Sequence, residues 1–596
     1  MTAQPRLVIS APSSGHGKTA IAVGVLAACT ARGVPAAGFK VGPDHTDAAY
    51  LGLAAGRPGR NLDPRLVGAA RIAPLLAHGA AGSQIAVIEG AMGLFDSLTG
   101  QPEIDGTAAV AATLHAPVVL VIDVAAMGHS VAAVVHGFRS FDEMVRIGGI
   151  ILNRIASPRH EQILRTALDD IGMPVLGALH RGDLPNVLPA RAHGPVPAAQ
   201  LTGDAARAVR RLGDVVGQAA DLDRLIALAA SAPDLPGPIW SPAEAIGAAV
   251  DVPHRPVIAL AGGPGAPYTY VETAELLDAA GADVVVVDPL RDETLPAGVR
   301  GLMIGAGLPE GYAEELSANR RLCNAVAHLA HDGRPVVAEG VGLPWLGREF
   351  DGRPMCAVLD ASAVTGEQTV AGYREAVAPS TSPLAPAGAR ITGYKQHRAI
   401  VTPRAGQVPA WTWAGGQPEG FVWRQVHASQ LGLHWAAAPE IARRLVIAAA
   451  SDQPRYGEEH RHAERYGPVA GYEPVGYRPA GDHGQADHPA GGVRAGDQAV
   501  SPAGGVRAGG QSGSPAAGVR AGGEVGGVAG GIWTGGTASS PAGGIRAGRG
   551  DAEDDEVTEL VPISVEPDAA DAARRAGPTA AGTDDDVDTA DVVPHP

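Results

Sequence analysis

The stretch that decides the fold is "RLVISAPSSGHGKTAIAVGVLAACTARG", residues 6–33. A short apolar run, a Gly/Ser loop and a longer apolar run predict a strand, a loop and a helix that starts near Lys18. This order surrounds an anion with loop N–H groups and a helix N-terminus, and it offers the Thr19 hydroxyl to Mg²⁺. Pro12 stands where the strict phosphate-loop pattern has its first glycine. The residues expected to contact ATP are Ser14, Gly15, Gly17, Lys18 and Thr19.

Acidic residues follow the next two predicted strands. "GFKVGPDHTD" at 38–47 ends one strand, and "IAVIEGAMGLFD" at 85–96 contains another. A single carboxylate after a strand is more often a solvated loop residue or a helix cap. Here three such segments follow one another in phosphate-loop order, and the carboxyl ends of parallel strands meet at one sheet edge. We therefore predict a Mg·ATP site at this edge, around Lys40, Asp44, Asp47, Glu89 and Asp96.

Strand-like and helix-like segments alternate up to about residue 450, which is typical of parallel sheets covered by helices. "PVVLVID" at 117–123 and "GGIILNR" at 148–154 read as two more buried strands, the second ending at Asn153. A second run of strands and helices begins at Pro256. The sequence thus predicts an α/β protein with a first domain over 1–200, a linker over 201–255 and a second domain over 256–450.

The remainder, 451–596, differs in composition. Gly, Ala, Pro, His and Asp dominate, and a 13-residue repeat resembling PAGGVRAG starts at Pro489, Pro502, Pro515 and Pro541. Such a segment holds too little apolar surface to offset the entropy of the chain, so we expect a disordered tail.

The charge of the chain is concentrated in this tail. Fourteen acidic residues and two arginines lie in 551–596, so this segment carries −12 of the formal net charge of −17. The rest is mildly acidic, which argues against nucleic acid as a partner. The sequence contains no run of eighteen apolar residues and no signal pattern at its start. We therefore expect a soluble, cytoplasmic protein without a membrane partner.

Several motifs in order resemble the cobyrinate or hydrogenobyrinate a,c-diamide synthases of cobalamin biosynthesis. They begin with SSGHGKT, FKVGPDHTD, GRPGRNLDP, IEGAMGLFD and ILNRIASPRH, and continue through VVDPLRDETLP and GAGLPEGYAEELSANRRL to VHASQLGLHW. The resemblance covers about residues 6–445. It implies a domain like dethiobiotin synthetase followed by a flavodoxin-like glutamine amidotransferase domain of the triad type.

The resemblance also implies the chemistry. A substrate carboxylate attacks the γ-phosphate of ATP, and ammonia then displaces phosphate from the acyl phosphate to give an amide. Because the reacting groups are anionic, cations are needed: Lys18, Lys40 and Mg²⁺. The resemblance implies that Lys40, Asp44, Asp47 and Asp96 are catalytic residues and that Thr19, Asp44 and Glu89 are the metal ligands. By the same resemblance Asn153 is expected near adenine, and Asp47 and Asp96 are expected to contact metal or the corrinoid.

The glutaminase elbow departs from the family pattern. In "VVAEGVGLPWL" at 336–346, the family motif Ala-Glu-Cys-Gly-Gly aligns on Ala338 and Glu339, which places Gly340 at the position of the attacking cysteine. Glycine cannot form a thioester, yet it suits the strained backbone of an elbow. We therefore expect the fold of this domain without its chemistry.

The partner histidine is also missing. The family segment Ala-Ser-Tyr-Leu-His-Leu-His is Ala-Ser-Gln-Leu-Gly-Leu-His here, so Gly432 replaces the activating histidine. His434 remains as a residual base, but two residues along a strand correspond to roughly 6–7 Å. The family's Gly-His-Glu-Phe-His is also altered, to GYKQH at 393–397.

These features favour an ATP-dependent corrinoid amide ligase that uses ammonia, free or from a partner, in place of glutamine. The alternative is an inactive paralogue that binds ATP or corrinoid as a regulator or scaffold. An ATP-switch partitioning protein is disfavoured, because Ser13 stands where those proteins carry an extra lysine. The choice between cobyrinate and hydrogenobyrinate, and a homodimeric state, stay open.

Overall fold

The computed structural model describes residues 3–185, 188, 202–248, 250, 252–263, 266–308, 310–413 and 416–451. These residues form an α/β fold with two mainly parallel sheets and one mainly antiparallel sheet, which confirms the predicted fold class for the two domains. The segment 452–596, with its repeats and the predicted disordered tail, lies outside the described residues.

The first sheet is fully parallel, with strand order β3-β2-β4-β1-β5-β6-β7. Its register places Lys40 of β2 directly beside Glu89 of β4. The apolar strands are buried on both faces, as in other sheets covered by helices on both sides. The strands are β1 Arg6–Ser10, β2 Ala36–Val41, β3 Arg60–Leu62, β4 Ile85–Glu89, β5 Val118–Asp123, β6 Ile147–Ile155 and β7 Val175–His180.

Helices follow most of these strands. The predicted start of the first helix at Lys18 is observed. Asp44, Asp63 and Ser157 cap the starts of α2, α3 and α8 with their side chains. The helices are α1 Lys18–Ala31, α2 His45–Ala55, α3 Pro64–Val67, α4 Ile72–Gly79, α5 Pro102–Asp105, α6 Thr107–Thr113, α7 Ser130–Phe141 and α8 Pro158–Asp169.

The segment expected to be a linker differs from the expectation. It contains α9 Thr202–Ala219, α10 Leu222–Ala230 and α11 Pro242–Ile246. Leu212, Val216 and Leu225 are fully buried in one core with α1 and β1. The approach of α9 to α1 is so close that a Cβ on Gly24 would lie 2.4 Å from Val216. Because α9 and α10 carry an apolar face that must be covered, they complete the helix layer of the first sheet.

The second sheet has the order β10-β8-β11-β12-β18-β17, and β9 pairs with β8. The first five strands of this order are parallel, and β17 is antiparallel at the edge. The strands are β8 Val257–Gly263, β9 Ala266–Pro267, β10 Asp283–Val287, β11 Val299–Ile304, β12 Val336–Glu339, β17 Phe421–Trp423 and β18 Val426–Ser429. The helices are α12 Val271–Ala279, α13 Ala313–Ala318, α14 Arg320–His331, α15 Gly342–Leu346 and α16 Glu440–Ala450.

The third sheet is built on a long hairpin in the order β14-β13-β15-β16-β19. One hydrophobic core includes Phe39 of the first sheet, Leu260 of the second and Leu431 of the third, so the two domains are packed together. The strands are β13 Glu349–Phe350, β14 Arg353–Pro354, β15 Ser362–Val377, β16 Arg390–Thr402 and β19 Leu431–Gly432. Within the described part of the chain, no helix has the length and apolar character needed to cross a membrane.

Candidate functional site

A cavity of about 330 Å³ lies at the carboxyl edge of the first sheet. This volume is at the lower end of the range typical of small-molecule sites. The phosphate-loop segment borders it on one side, and the residues that follow β2 and β4 border it on the other. Its lining includes the predicted residues Ser14, Gly15, Gly17, Lys18, Thr19, Lys40, Asp44, Asp47 and Glu89. The structure therefore brings together most of the residues that the sequence placed in the ATP site.

Lys40 is the centre of a buried charge cluster in this cavity. Its Nζ lies 2.7 Å from Asp47 Oδ2 and 3.0 Å from Glu89 Oε1, and it donates to the carbonyl of Gly90. All three charged side chains are almost entirely buried. Burial, followed by the charge of Asp47, raises the pKa of Glu89 to about 7. The ammonium group of Lys40 is thus held between the carboxylates of Asp47 and Glu89, at the edge of the cavity where the phosphates of ATP are expected to bind.

Thr19 and Glu89 form the part of the cavity that fits a divalent cation. Thr19 Oγ1 donates to Glu89 Oε1 at 2.5 Å, whereas Glu89 Oε2 is buried and has no hydrogen-bond partner in the described residues. A hydroxyl and a carboxylate beside a phosphate-binding loop are the oxygen ligands that Mg²⁺ takes together with water and phosphate. No group of three or more acidic, His or Cys residues forms an all-protein metal cage in the described ranges. The site therefore suits a cation held partly by ATP.

Lys18 and Asp44 are held by the loops themselves. Lys18 Nζ donates to the carbonyl of Ser13, and burial, followed by the charge of Lys40, lowers the pKa of Lys18 to about 8. Asp44 caps α2 by accepting from the backbone N–H of Asp47 at 2.7 Å. Asp44 is thus a helix cap and also lines the cavity. Its role as a cap therefore does not exclude a role in the predicted Mg·ATP site.

Asn153 and Asp96 are absent from the described lining of the cavity. Asn153 Nδ2 donates to the carbonyl of His16 in the phosphate loop, and its Oδ1 accepts from the N–H of Arg154. Asp96 accepts from the N–H of Gly93, and its charge is one of those that raise the pKa of Lys18. In this structure both side chains shape the loops around the site.

The second domain also contributes to this cavity. Tyr394 and Gln396, two residues apart on β16, line the cavity beside Asp44 and Asp47. Alternate residues of a strand point to the same face. The sequence marked GYKQH at 393–397 only as a departure from the family pattern, because nothing local shows that this strand reaches the first domain.

The predicted elbow is present in the second domain. Strand β12 ends at Glu339 and α15 begins at Gly342, with Gly340 between them in the left-handed region at φ 55°. A Cβ built on Gly340 would lie 2.9 Å from Cα and 3.0 Å from the carbonyl oxygen of Ala306. The backbone is that of an elbow, but the backbone of Ala306 lies in the space that a side chain at position 340 would need.

Gly432 faces the same neighbour. A Cβ on Gly432 would lie 2.8 Å from Cβ of Ala306. Both glycines border a cavity of only about 20 Å³, which is close to the size of one water molecule. Ala306 thus lies against both Gly340 and Gly432, the two positions that the resemblance assigns to the cysteine and the histidine, and no sequence pattern predicts this contact.

His434 does not contribute to the described lining of this small cavity. Its ring stacks on Tyr270 at 4.3 Å between centroids, and its Nε2 lies 3.6 Å from Glu272 Oε2. Burial lowers the pKa of His434 below its usual value. Glu339, beside the elbow, accepts from the backbone N–H of Leu433, and burial raises its pKa to about 8.

Comparisons with known proteins match both halves of the chain. Residues 7–196 match the family described as the CobQ/CobB/MinD/ParA nucleotide binding domain. Residues 267–439 match the family described as the CobB/CobQ-like glutamine amidotransferase domain. A nucleotide-binding domain joined to an amidotransferase domain defines a class of carbon–nitrogen ligases.

Curated relatives narrow this class. A hydrogenobyrinate a,c-diamide synthase of Streptomyces coelicolor is 50% identical over 474 residues, covering 75% of this chain and 97% of that protein. A protein of the same name from Thermobifida fusca is 44% identical, with 76% and 98% covered. A cobyrinate a,c-diamide synthase of Gloeobacter violaceus is 39% identical, with 74% and 96% covered. The chain belongs to the cobyrinate and hydrogenobyrinate a,c-diamide synthase family.

Proposed function

We propose that this chain is an ATP- and Mg²⁺-dependent ligase that amidates the a- and c-carboxylates of hydrogenobyrinate or cobyrinate, with ammonia as its nitrogen donor. The observation that carries the choice of donor is the small cavity at the elbow. Gly340 offers no nucleophile, Gly432 offers no base, and Ala306 fills the space between them. The phosphate-loop cavity keeps its cations and carboxylates.

The residues of the large cavity have defined tasks in this proposal. Lys18 and the loop N–H groups bind the phosphates of ATP, and Lys40 neutralises charge as the substrate carboxylate oxygen attacks the γ-phosphorus. The bond between that phosphorus and the β–γ bridging oxygen breaks, and ADP leaves. Ammonia then attacks the acyl carbon of the acyl phosphate, phosphate leaves with the bonding electrons, and the nitrogen loses a proton. Thr19 and Glu89 would hold Mg²⁺, which supplies charge neutralisation on the phosphates when it is bound.

A donor comparison tests the proposal. The full chain is incubated with ATP, Mg²⁺ and either corrinoid, with ammonium or glutamine as donor, and amide formation is followed by mass spectrometry of the corrinoid. We expect product with ammonium, and with glutamine only the amount that its contaminating ammonia explains. Efficient turnover of glutamine would contradict the assignment of Gly340.

Two substitutions serve as controls in this assay. Lys18→Ala is expected to abolish ATP-dependent turnover, because it removes a positive charge at the phosphates. Glu89→Gln is expected to lower turnover by about 10²-fold or more, because it removes a carboxylate that would hold Mg²⁺. ATP or corrinoid binding without product from either donor would instead favour the inactive paralogue.

A further inference from the structure

The second domain has a second point of contact with the ligase site, at Tyr270. This residue precedes α12, and its side chain is 5% exposed. Its hydroxyl donates to the backbone carbonyl of Pro43 at 3.1 Å. Pro43 belongs to the first domain, lines the large cavity and precedes Asp44. A hydrogen bond from the glutaminase-like domain therefore ends one residue from a predicted catalytic carboxylate.

Two histidine rings lie against the ring of Tyr270. The ring of His45 is tilted at 4.4 Å and the ring of His434 is stacked at 4.3 Å, between centroids. Tyr270 and His434 are buried and His45 is partly buried, and desolvation lowers the pKa of His45 to about 4, so this histidine is neutral at pH 7. Two ring neighbours in a packed environment leave the tyrosine hydroxyl little freedom.

The loop that receives this hydrogen bond positions the reactive side chains. Asn61 Nδ2 donates to the carbonyls of Gly42 and Asp44 from the other side of the loop. Asp44 in turn caps the helix that carries Asp47, whose carboxylate pairs with Lys40. The loop at 42–44 is thus fixed by one side chain of the first domain and one of the second.

We propose that Tyr270 is a positioning residue of the ligase site, so that the glutaminase-like domain serves the ligase reaction although it lacks its own nucleophile. This inference rests on the proposed function. Tyr270 does not belong to the described lining of the large cavity. It acts through Pro43 by setting the position of Asp44 and of the start of α2.

The chain offers a matched control. Tyr268 lies two residues earlier, is 2% exposed, and its hydroxyl has no hydrogen-bond partner in the described part of the chain. Tyr270→Phe removes a hydroxyl that bonds to the loop, whereas Tyr268→Phe removes one that does not. Both variants keep the aromatic ring and therefore the packing.

Two readouts on the full chain test the proposal. With ammonium as donor, Tyr270→Phe is expected to lower kcat about tenfold, because small displacements of reactive groups cost rate steeply. The KM for ATP should stay within about twofold, since the phosphate loop is held by other contacts. Amide hydrogen exchange should accelerate in a peptide covering 43–50 and stay unchanged in one covering α1. Tyr268→Phe should change neither readout.

The outcomes separate the two proposals. If the unaltered chain forms no product with any donor, the proposed function fails, and the exchange comparison still decides the role of Tyr270. Equal kcat and equal exchange in the two variants would overturn the positioning role. So would acceleration of exchange throughout the chain in Tyr270→Phe, because that result reports only a loss of overall stability.

Discussion

The contact between positions 306 and 432 predicts a coupling that unfolding measurements can detect. Gly432→Ala adds one methyl group whose carbon would lie 2.8 Å from Cβ of Ala306. Both atoms are fixed to backbone, so neither can turn away, and overpacking of this kind costs about 1–3 kcal/mol. Ala306→Gly removes the opposing carbon, and the next neighbour of the new methyl is then the carbonyl oxygen of Tyr394 at 3.3 Å.

We therefore expect Gly432→Ala to destabilise the chain when residue 306 is alanine and to destabilise it less when residue 306 is glycine, where only the 3.3 Å contact with the carbonyl oxygen of Tyr394 remains tight. The coupling should be at least about 1 kcal/mol, within the range found for residues in contact. The assay is urea unfolding of the four members of the double-mutant cycle, followed by fluorescence. Equal effects of Gly432→Ala in both backgrounds would show that Ala306 does not occupy the space that a side chain at position 432 needs.

Two further predictions concern buried charges. Burial raises the pKa of Glu339 to about 8 in the folded state, from an ordinary value of about 4.3, so between these values the folded chain holds a proton that the unfolded chain releases. The free energy of unfolding should therefore fall as pH rises through this range, by at most roughly 1.4 kcal/mol per pH unit. Urea unfolding at several pH values should show a weaker dependence of this free energy on pH for Glu339→Gln. Arg60→Ala should cost about 3–5 kcal/mol, because it leaves Glu272, 1% exposed, as an unpaired buried charge between the domains. Arg255→Ala, at exposed ion pairs, should cost less than about 1 kcal/mol. Both variants are measured by urea unfolding, and similar losses in the two would contradict the assigned role of Arg60.

The large cavity was largely predictable from sequence, because its residues follow strands in a regular order. Lys40 and Glu89 end neighbouring parallel strands, and parallel strands deliver their ends to one edge. The left-handed conformation of Gly340 was expected for the same local reason, since a strand-to-helix corner demands it. The placement of Lys40 and Glu89 and the conformation of Gly340 are predictable because each depends on a short strand and the turn that directly follows it.

Other features depend on contacts between distant segments. Ala306, Tyr270 and Gln396 reach the two cavities from separate loops and strands, and no spacing in the sequence connects them. The role of Asn153 at adenine stays a prediction, and the hydrogen bond from its amide to the carbonyl of His16 is a contact between distant segments that no motif indicates. The packing of α9 and α10 against α1, within the segment predicted as a linker, also depends on residues far apart in the chain.

The close approach of α9 to α1 has a consequence for how the protein can be divided. A fragment that stops at residue 200 would expose the apolar surface of α1 that Leu212 and Val216 now cover. A separately expressed first half must therefore extend beyond Ala230, at the end of α10. Even that fragment would lack Tyr394 and Gln396 at its cavity wall. The two domains are consecutive in the sequence, but a complete ligase cavity requires both of them in one chain.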